Sequence, residues 1–377
     1  MRTRKKIVVA AGAAAVGGVG FAWAAMGLPA LGAAPAGERL DRMEASPNFA
    51  GRKAKNLVER PMTPEGESML GSSVRWFSDR ASRKPSEPIP MVAPDPQDLL
   101  PDGERLRATW LGHSTVLLEI DGQLLLTDPV FGDRAAPVSW AGPKRFHAPP
   151  LALDDLPPID AVLISHDHYD HLDHGTILRL AETGVRFLVP LGVGAHLESW
   201  GVDPKDITEL DWWGSTRVGE LKLVCTPAHH FSGRSGLDRD RTLWSSWAVI
   251  GPRHRAWFGG DTGPLEAADL IAERHGPFDL VMLEIGAWDP SWAGIHLGPD
   301  AAVELHSQLG GGALLPIHHG TFELALHAWD QPMVRLQQLQ QDKGFELLAP
   351  IPGQTLQPGE PGIAEFWSQR ARDRGDS

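Results

Sequence analysis

Cysteine and tyrosine are almost absent from this chain of 377 residues, which contains one of each, Cys225 and Tyr169. A single cysteine cannot form a disulfide within the chain, and zinc sites built on thiolates need several sulfurs. Any metal ion must therefore be held by histidine or carboxylate side chains. Histidine is plentiful, with 16 residues.

Positive charge is scarce, because 35 Lys and Arg residues face 48 Asp and Glu residues and leave a net charge of −13. A protein that binds nucleic acid by neutralising phosphates needs a basic face, so we expect no nucleic-acid partner. An anionic small substrate stays compatible, since a bound metal ion can dominate the local field.

Two common catalytic motifs are also missing. The chain contains neither the Gly-x-Ser-x-Gly turn of serine hydrolases nor the Gly-rich phosphate loop of nucleotide hydrolases. A serine nucleophile of that kind and a P-loop are therefore excluded.

The N-terminus carries Arg2, Arg4, Lys5 and Lys6, followed by an uncharged stretch over 7–37 that is rich in Ala, Gly and Val. Residues 7–28 are long enough to span a bilayer at about 20 residues per crossing. A cleavable signal peptide has a shorter core of about 7–15 residues. We therefore expect 1–36 to be a signal peptide or an N-terminal membrane anchor. The protein is then exported, as a membrane-anchored or periplasmic (extracytoplasmic) protein.

Beyond this segment the pattern of the chain changes twice. Residues 37–103 are polar and rich in proline, which predicts an arm or linker. Short apolar runs at 107–111, 115–120, 123–127, 161–165 and 186–190 predict strands, 176–183 predicts a helix, and Asp121-Gly122 predicts a hairpin. We expect one α/β domain over 104–360 with more than one sheet, and a polar C-terminal tail over 361–377.

The segment 165–173, Ser-His-Asp-His-Tyr-Asp-His-Leu-Asp, concentrates residue types that bind metals. In an extended chain residues i and i+2 face the same way, so His166 and His168 can bind one ion together. A turn after them lets Asp170 and His171 face a second ion.

Three later stretches offer further ligands, each at the end of an apolar run. They contain His229-His230, Asp261 after two glycines, and His318-His319. Each stretch alone is weak evidence, but their order after the central segment favours a metal centre.

These motifs resemble the family of N-acylphosphatidylethanolamine-hydrolysing phospholipases D, within the metallo-β-lactamase fold. The resemblance covers roughly residues 105 to 350 and leaves the first 100 residues unmatched. Its segments are 110–115, 126–129, 142–146, 156–168, 209–213, 259–263, 276–280 and 317–322.

The resemblance implies a four-layer αββα sandwich of two mixed β-sheets flanked by helices, with two Zn²⁺ ions per chain. The same ligand types also accept iron or manganese. The family pattern assigns the first zinc to His166, His168 and His230, the second zinc to Asp170, His171 and His318, and the bridge between them to Asp261. At the two His-His pairs the sequence departs from the family, so His229 and His319 stay open as alternatives.

Four further residues receive expected roles. The family motif gives Tyr169 and His296 a contact with substrate; alternatively, Tyr169 packs against the metal loop and His296 is a surface histidine or supports a ligand. Asp128 is expected to orient a ligating imidazole, as carboxylates commonly do, unless it only forms a turn before Pro129. His113 either borders the pocket or packs in the core.

The expected activity is hydrolysis of N-acylphosphatidylethanolamine to N-acylethanolamine and phosphatidic acid. A hydroxide shared by the two zinc ions would attack, positioned by Asp261 and Asp170. Alternatives are a lactonase or another small-phosphodiester hydrolase of the same fold, and a non-catalytic zinc-binding protein. The expected partners are a phospholipid or other phosphodiester substrate and a membrane surface, and a homodimer is compatible with the sequence.

Overall fold

The computed structural model describes residues 27–61 and 83–375. Among these residues the helices are α1 Glu38–Ala45, α2 His174–Ala181, α3 Gly194–Ser199, α4 Ala268–His275, α5 Gly298–Gln308, α6 Gln331–Lys343 and α7 Glu365–Gly375. The strands are β1 Phe49–Ala50, β2 Lys53–Ala54, β3 Leu106–Gly112, β4 Thr115–Ile120, β5 Gln123–Thr127, β6 Ala161–Leu163, β7 Arg186–Pro190, β8 Ile207–Leu210, β9 Ser215–Val218, β10 Leu221–Thr226, β11 Ser246–Ile250, β12 Arg255–Phe258, β13 Leu280–Glu284, β14 Ala313–Ile317 and β15 Thr355–Leu356.

Two mixed sheets form the centre of the molecule. Sheet I has the strand order β15-β3-β4-β5-β6-β7-β8, and sheet II has the order β14-β13-β12-β11-β10-β9. In sheet I the strands from β15 to β5 pair antiparallel and those from β5 to β8 pair parallel. In sheet II the strands from β9 to β12 pair antiparallel and those from β12 to β14 pair parallel.

The predicted hairpin between β4 and β5 is confirmed. Asp121 and Gly122 both have positive φ angles, 49° and 82°, as a tight two-residue turn requires. The turn pairs Ile120 with Gln123 and fixes the register of the two strands.

Successive side chains along each strand point to opposite faces of the sheet, and this alternation separates the layers of the molecule. Val116, Leu118 and Ile120 on β4 point into a core shared by the two sheets, whereas Leu117 points the other way and joins Ile177 of α2. Sheet II follows the same rule, with inner side chains in the shared core and outer ones beneath α4 to α7. The predicted four-layer αββα sandwich is therefore confirmed.

The segment 27–61 lies against the sandwich. The composition predicts an arm or linker from residue 37, but α1 forms here and packs on the domain. Met43 is buried in the shared core, and Arg39 contacts Glu198 at 2.5 Å and Glu209 at 2.7 Å. Farther along, Ala54 donates its backbone N–H to the Asp240 carbonyl at 2.8 Å.

The C-terminal end also packs on the domain. The composition of 361–377 predicts a polar tail, yet Trp367 of α7 is fully buried and its indole N–H donates to the Pro350 carbonyl at 2.8 Å. The apolar side chain in an otherwise charged helix ties this segment to sheet II through the core beneath it.

None of the helices in the described residues is sufficiently long and apolar to cross a bilayer. The signal peptide or membrane anchor is predicted over residues 1–36, of which 1–26 lie outside the described residues.

Candidate metal centre

The seven predicted ligands all follow the carboxyl ends of strands, at one edge of the sandwich. The segment 166–171 comes after β6, and His230 comes after β10. Asp261 follows β12, and His318 follows β14 directly. The two sheets therefore bring four separate loops to one place.

Three histidines form the first cluster. His166 Nε2 lies 2.8 Å from His168 Nδ1, and His230 Nε2 lies 3.3 Å from that same atom. Asp261 Oδ2 is 3.9 Å from His166 Nε2 and 3.7 Å from His230 Nε2. One ion could reach all four atoms after small adjustments.

The second cluster shares Asp261. His171 Nε2 lies 3.2 Å from Asp261 Oδ1, and His318 Nε2 lies 3.1 Å from Asp261 Oδ2. Asp170 Oδ2 is 3.6 Å from His171 Nε2 and 3.4 Å from His318 Nε2. Asp261 thus stands between the two clusters, where a bridging ligand belongs.

The ring directions separate the members of each His-His pair. His229 turns toward Glu266, with Nδ1 at 3.8 Å from its carboxylate. His319 stacks on Trp110, with ring centroids 4.7 Å apart. His230 and His318 are therefore the members that the structure brings into the clusters.

Several atoms of the clusters are buried without a hydrogen-bond partner, and this is what a metal centre requires of its ligands. They include His171 Nε2, His318 Nε2 and Asp261 Oδ1. Leaving such groups unpaired in the interior is costly. Imidazole and carboxylate donors of this kind suit Zn²⁺, so the residues fit two divalent ions.

The pKa values of the histidines in the two clusters are shifted in opposite directions. Burial by itself lowers the pKa of His318, but the neighbouring Asp261 and Asp170 carboxylates outweigh burial and raise it to about 10. Burial and the neighbouring histidines hold the pKa of His166 well below its ordinary value. Burial tends to raise the pKa of Asp261, yet His171 and His318 hold it well below the ordinary value. The second cluster therefore holds protons that a metal ion must displace.

Residues around the two clusters hold the ligand side chains in place by hydrogen bonds. Asp128 Oδ2 accepts from His171 Nδ1 at 2.7 Å, which is the contact expected of it from the sequence. His230 Nδ1 lies 3.1 Å from the Ile295 carbonyl. His113 is buried beside the second cluster, with Nε2 at 3.1 Å from Asp170 Oδ2. Each contact leaves the other ring nitrogen or the carboxylate directed toward the clusters.

His296 borders the centre together with a residue that sequence reasoning missed. Its Nδ1 lies 2.6 Å from Glu284 Oε2 and its ring stacks on His318. Glu284 is fully buried at the end of β13 and also accepts from the backbone N–H of Thr262 at 2.9 Å. A carboxylate at the end of the apolar run 280–285 was the signal that could have revealed it.

Tyr169 is engaged elsewhere. Its hydroxyl donates to the Arg234 carbonyl at 2.5 Å, and the Arg234 guanidinium lies over its ring at 4.2 Å. Burial raises the pKa of the phenol to about 12. The structure gives Tyr169 a contact that holds the loop, and its contact with substrate stays a prediction.

A cleft of about 230 Å³ opens over the clusters. Four ligands and His296 form one part of its lining, and apolar side chains form the rest, namely Phe231, Ala287, Trp292, Ile295 and Leu324. The cleft therefore joins a charged floor to an apolar wall.

The sequence profile described as a beta-lactamase superfamily domain matches residues 124–319. The chain belongs to the β-lactamase superfamily. Within the superfamily, an uncharacterized protein of Mycobacterium tuberculosis is 45% identical over 372 residues, which cover 97% of this chain and 99% of the relative.

The chain is also similar to N-acyl-phosphatidylethanolamine-hydrolyzing phospholipase D 1 of Caenorhabditis elegans, with 42% identity over 232 residues. The match covers 58% of this chain and 65% of that relative, so it spans less than two thirds of the enzyme. This confirms the family resemblance found in the motifs. The isothiocyanate hydrolase from Delia radicum gut bacteria shares the superfamily fold, with a TM-score of 0.54 and 20% identity over 66% of this chain and 98% of that one. The chain thus has the fold and the ligand arrangement of a metal-dependent hydrolase of the β-lactamase superfamily.

Proposed function

We propose that this metal-dependent hydrolase cleaves a lipid phosphodiester, with N-acylphosphatidylethanolamine as substrate and N-acylethanolamine and phosphatidic acid as products. The observation that carries the proposal is the cleft, whose floor would suit a phosphate once it holds two metal ions and whose wall suits hydrocarbon. The worm phospholipase, 42% identical over the matched region, supports it. So does the mitochondrial N-acyl-phosphatidylethanolamine-hydrolyzing phospholipase D of Saccharomyces cerevisiae, 32% identical over 248 residues.

Seven residues would hold two Zn²⁺ ions: His166, His168, Asp170, His171, His230, Asp261 and His318. When bound, such a pair of ions lowers the pKa of a water molecule and offsets negative charge on phosphate oxygens. Asp261 and Asp170 orient the reacting water at the floor of the cleft.

The remaining residues of the cleft act on the substrate. His296 has Nδ1 bound to Glu284, which leaves Nε2 as the nitrogen that can meet a phosphate oxygen or the leaving alcohol. Phe231, Trp292 and Ile295 exclude bulk water and contact the carbons next to the phosphate. A cleft of about 230 Å³ is too small for two acyl chains, so the chains must continue beyond it.

An apolar wall would also suit a lactone that bears an acyl chain, which makes lactone hydrolysis the second candidate. Incubation with a panel of phospholipids and acyl lactones, with and without chelator, separates the two by mass spectrometry of the products. We expect N-acylphosphatidylethanolamine to be cleaved and the chelator to stop the reaction. Hydrolysis of lactones alone, or unaltered activity in a His168→Ala, Asp261→Ala double variant, would contradict the proposal.

We further propose that the N-terminal apolar segment tethers the enzyme to a membrane, outside the cytoplasm and next to its lipid substrate. The residues that follow this segment contact the domain: Trp200 Nε1 donates to the Pro29 carbonyl at 2.6 Å, and Arg234 Nε donates to the Ala30 carbonyl at 2.8 Å. Fractionation of cells and the intact mass of the mature protein test the tether. Full-length protein in the soluble cytosolic fraction would reject it.

A further inference from the structure

Asn56, in the N-terminal arm, binds the backbone of a candidate metal ligand with both ends of its side-chain amide. Its Nδ2 donates to the His230 carbonyl at 2.9 Å, and its Oδ1 accepts from the His230 backbone N–H at 3.1 Å. A neighbouring β-strand would offer the same pair, one acceptor for the N–H and one donor for the carbonyl. Here a single side chain, 174 residues away in sequence, provides both.

A second donor fixes the orientation of the amide. Trp244 Nε1 donates to Asn56 Oδ1 at 2.9 Å, and it also reaches the Ala228 carbonyl at 3.1 Å. Because an indole N–H can only donate, the atom that it meets must be the oxygen of Asn56. The nitrogen is then left for the His230 carbonyl.

The backbone hydrogen bonds of His230 depend on Asn56. Within residues 27–61 and 83–375, its N–H and its carbonyl have Asn56 as their sole hydrogen-bond partner. The residue is buried, so water cannot readily replace the amide. Its ring is held separately, by the Ile295 carbonyl at Nδ1.

The arm holds Asn56 from both sides. Before it, Lys55 donates its backbone N–H to the Asn48 carbonyl at 2.9 Å across the short β1–β2 pair. After it, Arg60 forms an ion pair with Glu266, whose carboxylate also lies 3.8 Å from His229 Nδ1. Asn56 is therefore a placed side chain rather than a surface group that touches His230 by chance.

We propose that Asn56 is a positioning residue of the metal centre, which sets the main chain of His230 and thereby couples the N-terminal arm to the first ion. The inference rests on the proposed pair of metal ions. Its test reads metal binding rather than turnover, so a failure to hydrolyse phospholipid would leave this test intact.

The experiment is a zinc titration of the full chain, by calorimetry with a competing chelator, on wild type, Asn56→Ala and Asn56→Asp. Asn48→Ala is the matched control, because Asn48 lies on the same arm and donates to Asp211 at 2.8 Å, away from the ligands. The melting temperature of each metal-free protein is measured alongside. Asn56→Asp keeps both acceptor contacts and replaces the donor by a carboxylate oxygen that repels the His230 carbonyl, so it serves if the alanine variant does not fold.

We expect Asn56→Ala to weaken the binding of one of the two zinc ions about tenfold or more, which is the range typical of outer contacts to metal ligands. The affinity of this variant for the other ion, and both affinities of Asn48→Ala, should stay within about twofold of wild type. Asn56→Asp should also weaken the binding of that first-named ion, because its carboxylate cannot donate to the His230 carbonyl. The proposal is overturned if both Asn56 variants keep wild-type affinities, or if Asn48→Ala weakens zinc as much as Asn56→Ala does.

Discussion

The contact between Asp128 and His171 permits a substitution that keeps the shape of the side chain and replaces one acceptor atom by a donor. The atom replaced, Asp128 Oδ2, also accepts from Ser165 Oγ at 2.5 Å. Asp128 Oδ2 accepts from His171 Nδ1 at 2.7 Å, and Oδ1 accepts from the Ser165 backbone N–H at 2.7 Å. With the proton on Nδ1, Nε2 of His171 is the nitrogen available to an ion. In Asp128→Asn the amide oxygen must stay on the Ser165 N–H, so the amide NH₂ faces His171 and favours the tautomer protonated on Nε2.

The magnitude follows from the burial of both groups. Asp128 and His171 have no exposed surface, so no solvent can substitute for the lost acceptor. Removing an outer partner of a metal ligand weakens binding about 10- to 100-fold, or about 1.4–2.7 kcal/mol. We expect Asp128→Asn to fall in the upper part of this range for the second ion. The first ion should change less, because Asp128 reaches its ligand His166 only through the Ser165 hydroxyl.

Zinc titration with a competing chelator measures this change, and the chain contains a matched control. Asp121 accepts from His254 Nδ1 at 2.6 Å in the same kind of carboxylate–histidine pair, at the opposite end of β5. Asp121→Asn should leave both zinc affinities unchanged. The reasoning is refuted if Asp128→Asn binds both ions within about twofold of wild type, or if Asp121→Asn loses as much affinity as Asp128→Asn.

Two further predictions concern protons and packing. The pKa of His318 is raised to about 10, that of His171 is raised well above its ordinary value, and zinc needs both ligating nitrogens unprotonated. Apparent affinity for the second ion should therefore rise at least about tenfold per pH unit between about pH 7 and 9. The raised pKa of His318 also stabilises the metal-free protein. This stabilisation is complete below about pH 6.5 and is lost as the pH rises through about 10, so the melting temperature of the metal-free protein should fall over that range. A zinc affinity that does not change with pH above pH 7 would contradict both the affinity prediction and the stability prediction. Trp367→Ala should cost about 3–5 kcal/mol in denaturant unfolding, because the side chain is fully buried. Trp140→Ala, at a residue 71% exposed, should cost less than about 0.5 kcal/mol, and equal losses in the two variants would show that α7 is not part of the core.

The sequence predicts best where structure depends on neighbours along the chain. The hairpin at Asp121-Gly122 and the strand ends that carry the ligands follow from local pattern alone. The helix predicted over 176–183 begins earlier, at His174, because the Asp173 side chain caps it by accepting from the Thr176 N–H. Local chemistry accounts for that shift as well.

What the sequence could not predict depends on contacts between distant segments. Asn56 carries no motif, and its partner His230 becomes visible only once the arm is folded against sheet II. The choice between His318 and His319 required ring directions, since both follow the same strand. The position of Glu284 at the end of an apolar run is visible in the sequence, but its contact with His296 depends on a loop that only the folded structure brings to it.

Hydrolysis of N-acylphosphatidylethanolamine in water enriched in oxygen-18 tests the central claim most directly. If water attacks phosphorus at this site, the phosphatidic acid carries one labelled oxygen, the N-acylethanolamine carries none, and chelator abolishes both products. Label in the N-acylethanolamine, or product formation that survives chelator, would contradict the account.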